Sequence, residues 1–301
     1  MKIHLIGNDG QVGWALLRAL APLGEIVDMG PRECDLGNHE LLRSVVESVG
    51  ADVIVNAGAY TAVDKAETNA DLAYRINGSA LEVIGAAARR RGALVVHYST
   101  DYVYDGAKPG RYLETDAPAP LGVYGASKLA GDQALQTSGC AHLIFRTSWV
   151  YSAFGSNFAK TMLRLARERD SLNVVADQVG SPTAADLIAD TTALCLQTWM
   201  LADAERRKRL DGLYHLVASG ETSWYDYARH VIEFARARGV PLKVAGDAVK
   251  PIATSAYPTP AQRPANSRLD VSKIETAFGL KMPDWKVHMN RVLNELLGCY
   301  A

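Results

Sequence analysis

Lys2-Ile3-His4-Leu5-Ile6-Gly7-Asn8-Asp9-Gly10-Gln11-Val12-Gly13-Trp14 begins as a short apolar run and breaks at a glycine. From residue 11 to 23 apolar side chains return at helical spacing, with Val12, Leu16, Leu17 and Leu20 on one face. Pro22 and Gly24 supply the stop. Strand, glycine turn, helix is the order in which a G-x-x-G-x-x-G loop has a purpose. Gly7 permits the tight turn, Gly10 lets the backbone come close to a pyrophosphate, and Gly13 lets helix and strand pack together. The helix N-terminus then faces the phosphates. The plain alternative is a turn with no ligand; the position of the loop in its strand–turn–helix context favours a dinucleotide.

Outward from this loop the pattern repeats. Strands are predicted at Glu25–Met29, 52–56 (DVIVN), 94–99 (LVVHYS) and 142–147 (HLIFRT), and helices at His39–Val49, 71–91 and 127–137. Runs apolar on both faces and alternating with helices call for a parallel sheet covered on both sides. The expected fold class is α/β, a Rossmann-type doubly wound parallel sheet with a smaller α+β substrate lobe. Past about residue 150 the alternation fades into amphipathic helices at 157–169 and 184–200, a strand at 213–217 and an irregular proline-rich stretch at 251–264. So long an irregular stretch is a candidate binding segment. The division expected is 1–150 for the dinucleotide domain and 151–301 for the lobe, with about 172–218 returning to the first.

The 301 residues are enough for one large or two modest domains. A net charge of -1 lacks the basic surplus of a nucleic-acid binder, so no nucleic-acid partner is expected. No run approaches the ~20 apolar residues of a membrane span, and the chain reads directly as a strand with no secretory pattern before it. Cys34, Cys140, Cys195 and Cys299 are scattered, without a C-x-x-C pair, so neither a disulfide framework nor a zinc site is indicated. A soluble, cytoplasmic protein is expected.

Ser99-Thr100-Asp101-Tyr102 ends the 94–99 strand, and Tyr124-Gly125-Ala126-Ser127-Lys128 opens a helix. Tyrosine and lysine at i and i+4 share a helical face. A phenol has an ordinary pKa near 10; an ammonium beside it stabilises the phenolate, and the tyrosine then serves as general acid in reduction or base in oxidation. Thr100 would hold a carbonyl oxygen beside Tyr124, and Lys128 would reach the nicotinamide ribose. A Tyr-x-x-x-Lys spacing arises by chance on many helices. Together with the glycine loop, the Asn56–Ala59 strand end and Ser-Thr-Asp, it points to NAD(P)-dependent hydride transfer. The second strand closes Asp28-Met29-Gly30-Pro31-Arg32, so the acid expected against an adenosine ribose is early or missing. Arg32 either faces a 2′-phosphate, favouring NADPH with NADH as the alternative, or is a surface arginine after a turn.

These segments, with 53–67 (VIVNAGAYTAVDKAE), 97–106 (HYSTDYVYDG), 123–131 (VYGASKLAG), 145–151 (FRTSWVY), 157–165 (NFAKTMLRL) and 256–269 (AYPTPAQRPANSRL), resemble the extended short-chain dehydrogenase/reductase family, and specifically its nucleotide-sugar 4-keto reductases. The resemblance runs along essentially the whole chain. It implies reduction of the C4 keto group of dTDP-4-dehydro-6-deoxy-L-mannose by NAD(P)H, with Thr100, Tyr124 and Lys128 as the catalytic set. It places Gly10, Gln11, Val12, Asp35, Leu36, Ala59, Tyr60 and Thr61 against the cofactor, beside Gly7, Gly13 and Ala57 of the two strand ends. Thr100, Asp101, Tyr102 and Trp149 would contact the sugar nucleotide; the plain alternative for Trp149 is a core aromatic, and the neighbouring Arg146 and Tyr151 favour a site wall. Arg263 is added for the pyrophosphate, because arginine suits phosphate oxygens.

Rival functions on this fold leave different marks. A 4,6-dehydratase carries Asp-Glu after the threonine, whereas Asp101 is followed here by Tyr102. A 4-epimerase can act without that pair. A non-catalytic relative, such as the regulatory subunit of methionine adenosyltransferase, would be marked by loss of the Tyr–Lys pair, which is intact. Some of these reductases bind magnesium between subunits through a glutamate after the loop tryptophan. Here Ala15 stands there, leaving Asp186 without that partner, so the expectation is no metal and a monomer or weak homodimer.

Overall fold

The computed structural model describes residues 1–298; Cys299 lies outside the described residues. Six parallel strands form the central sheet: β1 (Lys2–Ile6), β2 (Glu25–Met29), β3 (Val53–Asn56), β4 (Leu94–Thr100), β5 (Ala141–Thr147) and β6 (Gly212–His215). Their spatial order is β6-β5-β4-β3-β1-β2, paired in parallel throughout. Every residue of β3 and β4 is buried, as sheets with both faces covered require. The strand order reverses between β1 and β3. In open α/β sheets the crevice at the carboxyl ends beside such a reversal is where ligands bind.

Eight longer helices matter here: α1 (Gln11–Leu20), α2 (His39–Val49), α3 (Ala80–Arg91), α4 (Val123–Ser138), α5 (Phe158–Glu168), α6 (Ala185–Leu201), α7 (Trp224–Ala237) and α8 (Trp285–Leu297). One sheet face is covered by α2, α3 and α4, whose Leu42, Val46, Ile84, Ala88 and Leu135 pack on Ile6, Ile54 and Val95. The other is covered by α1 and α6, with Leu16, Leu20, Ile188 and Leu196 against Ile3, Leu5, Val55 and Val96. A third apolar cluster holds the lobe together around α5, α7 and α8, with Tyr151, Met162, Tyr227, Val231, Trp285 and Met289 at its centre.

Two expectations need correction. The helix predicted over 71–91 is not continuous: Ala70–Tyr74 is α-helical, Arg75–Ser79 is a π turn, and α3 resumes at Ala80. Asn77 and Gly78 sit inside that turn, where an extra residue per turn rotates the Asn77 side chain inward, and it is buried. The return to the first domain does not begin near residue 172. Leu172–Val175 pairs with Val249–Ile252 inside the lobe; α6 is the first returning element, and Ser272–Phe278 comes back later to pack Ile274 and Phe278 into the first domain. Pro251, within the proline-rich stretch, lies in the two-stranded pairing 172–175/249–252, an edge position compatible with a residue that has no N–H.

Candidate active site

Gly7 ends β1 with φ +84°, a value that favours glycine. A Cβ there would lie 2.4 Å from Gly58 N, and one on Gly13 would lie 1.9 Å from Gly7 O, so both are fixed by the protein's own backbone. Gly10 differs. Its nearest neighbour to such a Cβ is Gly7 O at 3.7 Å, and the residue is exposed. No protein atom requires a glycine at 10; the space above it suits a phosphate against the N-terminus of α1. Gln11 Oε1 accepts from Asn157 Nδ2 at 2.9 Å and Ser152 Oγ at 3.3 Å, joining the loop to the lobe while its N–H and that of Val12 stay at the helix mouth.

Around this loop the other cofactor candidates assemble. Leu36 Cδ1 would stand 2.9 Å from a Cβ on Gly58, while Asp35 turns the chain by accepting from Gly37 N at 2.8 Å. Ala57, Ala59, Tyr60 and Thr61 form the segment leaving β3, and Asn77 holds it there. Its Oδ1 accepts from Tyr60 N at 2.8 Å, and its Nδ2 donates to Tyr60 O at 3.1 Å and to Ser127 Oγ at 3.0 Å. Asp28 accepts from Asn8 Nδ2 at 2.7 Å. Arg32 is exposed and makes no ion pair among the described residues.

The catalytic candidates converge at the carboxyl end of β4. Tyr124 and Lys128 lie on α4, which begins directly behind Gly122 and packs so tightly that a Cβ on Gly125 would meet Tyr102 O at 2.1 Å. Thr100 Oγ1 donates to Asp101 Oδ1 at 3.1 Å and accepts from Tyr102 N at 3.2 Å. The Tyr102 ring meets the Tyr124 ring edge-on at 5.5 Å. Burial pushes the Asp101 carboxyl up to about 6.

Beside Tyr102 opens a cavity of about 730 Å³ lined by Phe158, Arg169, Trp224, Tyr257 and Arg263. Trp224, which lines the cavity, stacks on Trp149 at 3.6 Å between ring centres; Trp149 itself is not among the lining residues. Trp149 has φ +48°, the one non-glycine residue at positive φ among the described residues. Strain of that kind persists where surrounding contacts impose it, and here Gly180 packs under the indole. A larger open depression of about 870 Å³ lies at the opposite end of the strands, between Met1, Asp52, Arg91 and Trp199, remote from these groups.

The family model for the RmlD substrate binding domain matches residues 1–297. The chain is 52% identical to the dTDP-4-dehydrorhamnose reductase of Escherichia coli (strain K12) over 98% of both chains, and 47% identical to that of Burkholderia thailandensis over 99% of both. The chain belongs to the dTDP-4-dehydrorhamnose reductase family. A reductase of this name from Bacillus anthracis, solved in complex with NADP, superposes with a TM-score of 0.86 at 34% identity over 98% of this chain and 99% of that one.

As a dTDP-4-dehydrorhamnose reductase family member, the chain departs from the sequence reading at two points. The pKa of Tyr124, expected to be lowered by Lys128, is instead pushed up to about 12 by burial and then the Asp101 charge, and Lys128 Nζ donates to Tyr98 O at 2.6 Å. Arg263 reaches the cavity but is already engaged: it ion-pairs with Asp64 at 2.8 Å and donates to Ala261 O at 2.9 Å. Asn77, Phe158, Trp224 and Tyr257 were missed. Only Asn77 left a signal, as an Asn-Gly pair in mid-helix, where neither residue favours a helix.

Proposed function

We propose that the chain is a cytoplasmic enzyme that uses NADPH, with NADH as the alternative, to reduce the C4 keto group of dTDP-4-dehydro-6-deoxy-L-mannose, giving dTDP-L-rhamnose. The observation that carries the reading is the convergence of Thr100, Tyr124 and Lys128 at the carboxyl end of β4, beside a cavity of about 730 Å³ lined by Tyr102. When bound, the reduced nicotinamide would supply the hydride taken up at C4. Thr100 holds the keto oxygen, and the Tyr124 phenol, kept protonated by burial and by Asp101, gives its proton to that oxygen as negative charge develops there. Lys128 supports the proton transfer, and Asp101 and Tyr102 shape the sugar site. Trp224, stacked on Trp149, and Phe158 offer flat apolar surface to the nucleotide. Arg263 serves the pyrophosphate through guanidinium edges not turned to Asp64. Gly10 and the α1 N-terminus would hold the cofactor pyrophosphate, and Asp35, Leu36, Ala57, Ala59, Tyr60 and Thr61 would hold its adenosine and ribose. The test is NADPH oxidation with the dTDP-4-keto sugar, with the product identified by NMR. Stoichiometric dTDP-L-rhamnose supports the reading; no oxidation, or faster turnover of the UDP-4-keto sugar, overturns the substrate assignment.

A further inference from the structure

The side chain of Asn157 caps the N-terminus of α5, its Oδ1 accepting from Lys160 N at 3.1 Å. That bond fixes which end of the amide is nitrogen. Nδ2 then gives both of its hydrogens to the protein, one to Ser152 O at 2.7 Å and one to Gln11 Oε1 at 2.9 Å. Gln11 belongs to the first domain, where it is the first residue of α1. Its stem is enclosed as well: a Cβ on Gly155, which has φ +71°, would lie 3.1 Å from Gln11 Cγ. Lys160 folds the same loop onto α5, its Nζ donating to Ala153 O at 3.0 Å and to Gly155 O at 2.6 Å.

We propose that Gln11 divides its groups between two ligands: its backbone N–H is left for the dinucleotide, while its side chain, through Asn157, is a positioning residue for the sugar-nucleotide site. This assignment rests on the sugar-nucleotide reading of the cavity and adds to that site a residue from outside the lobe.

Asn157 immediately precedes Phe158, and Phe158, Thr161, Met162 and Leu165 are the residues by which α5 lines the cavity. The Phe158 ring lies 4.6 Å from Trp224 and 5.0 Å from Tyr227, so a shift of the first turn of α5 moves the aromatic wall. That turn is the part of a helix whose N–H groups have no partner within the helix. Asn157 supplies one, and Gln11 fixes Asn157. The Ser152 hydroxyl is a lesser partner for Gln11, because its one proton has Phe154 O at 2.6 Å and Gln11 Oε1 only at 3.3 Å. Trp14 also stacks on Phe154, at 4.8 Å, a contact that substitutions at Gln11 leave in place. A backbone N–H does not depend on the side chain beyond it, so the two duties of Gln11 separate by substitution.

Gln11→Met keeps the stem and removes the acceptor oxygen. Titrated with dTDP in the absence of cofactor, it should show a dissociation constant raised at least ~3-fold, while that for NADPH stays within about twofold of the parent's. Amide hydrogen exchange across residues 158–165 of the ligand-free protein should quicken. Gln11→Glu returns an oxygen to Asn157 but sets a carboxylate at the helix mouth. Its exchange should match the parent's, and NADPH should bind at least ~3-fold more weakly. Asn157→Ser still caps a helix but is too short to reach Gln11, so adding Gln11→Met to it should change neither exchange nor dTDP affinity further. Parental exchange in Gln11→Met, equal losses of dTDP and NADPH affinity, additive effects in the double variant, or undiminished NADPH binding in Gln11→Glu overturns the proposal. Should Gln11→Met not fold, Gln11→Ala takes its place in each measurement. A parent that fails to bind dTDP sinks the sugar-nucleotide reading instead, and the exchange rates, measured without ligand, still decide whether Gln11 holds α5.

Discussion

Burial and the Asp101 charge keep the Tyr124 phenol protonated while Lys128 Nζ is engaged with Tyr98 O, which leaves the proton-donating step with the phenol. Tyr124→Phe preserves the ring and its edge contact with Tyr102 but removes the proton. We predict a fall in kcat of at least ~100-fold, the scale of general acid catalysis, with the NADPH dissociation constant little changed. Steady-state kinetics and cofactor fluorescence check both halves, and near-normal turnover would remove Tyr124 from the role. A second single-residue prediction concerns Arg32, exposed and free of ion pairs among the described residues just past the end of β2. A cation there favours only the cofactor that carries a 2′-phosphate. The ratio of kcat/KM for NADPH over NADH should exceed one in the parent and shrink in Arg32→Ala. Equal values in the parent enzyme would refute the assignment.

The strand–turn–helix unit of β1 and α1 separates glycines that serve the protein from one that serves a ligand. Gly13→Ala places a methyl 1.9 Å from Gly7 O; overpacking of this kind costs about 1–3 kcal/mol and outweighs the roughly 1 kcal/mol that alanine gains in a helix. Gly10→Ala meets nothing of the protein closer than 3.7 Å. It should melt at or above the parent temperature yet lose roughly tenfold or more in NADPH affinity, the scale of one good hydrogen bond. Thermal melts paired with cofactor titration test this; a Gly10→Ala protein that binds normally would show that the space above residue 10 is not where the phosphates lie. At this scale the sequence was readable because spacing carries the information. The glycine loop, the apolar runs of β3, β4 and β5 and the Tyr-x-x-x-Lys turn all act between near neighbours in the chain. What stayed hidden depends on distant approach. Asn77 gains its meaning from Tyr60 and Ser127, Trp149 from Trp224, and the direction of the Lys128 side chain from His97 and Tyr98. No local period encodes such meetings.

Across the whole molecule, the flank where α1 meets α6 bears on metals and assembly. Arg18 reaches from α1 to Asp190 at 2.7 Å and to Asp186 at 3.6 Å, so a guanidinium already occupies the carboxylates there, and Ala15 beside it has no oxygen to offer. No group of three or more His, Cys, Asp or Glu residues suited to a metal occurs among the described residues. We predict that excess chelator leaves activity within about twofold, less than 1 kcal/mol on the rate-limiting barrier. Mass in solution should stay that of a monomer or weak dimer, unchanged by added magnesium. A dimer that dissociates on chelation, or activity restored only by the metal, would overturn this. The route of the chain has a consequence for motion. It enters the lobe at Tyr151, returns with α6 and β6, leaves again for α7, comes back with Ser272–Phe278 and finishes in the lobe with α8. A door swings on one pin because few backbone torsions must change together. Two bodies laced through so many connecting strands cannot open that way, since every lace would have to bend in concert. What such lacing permits is slippage of packed helices past each other by small side-chain adjustments. It also ties the fates of the halves, so that neither loosens far without loosening its neighbour.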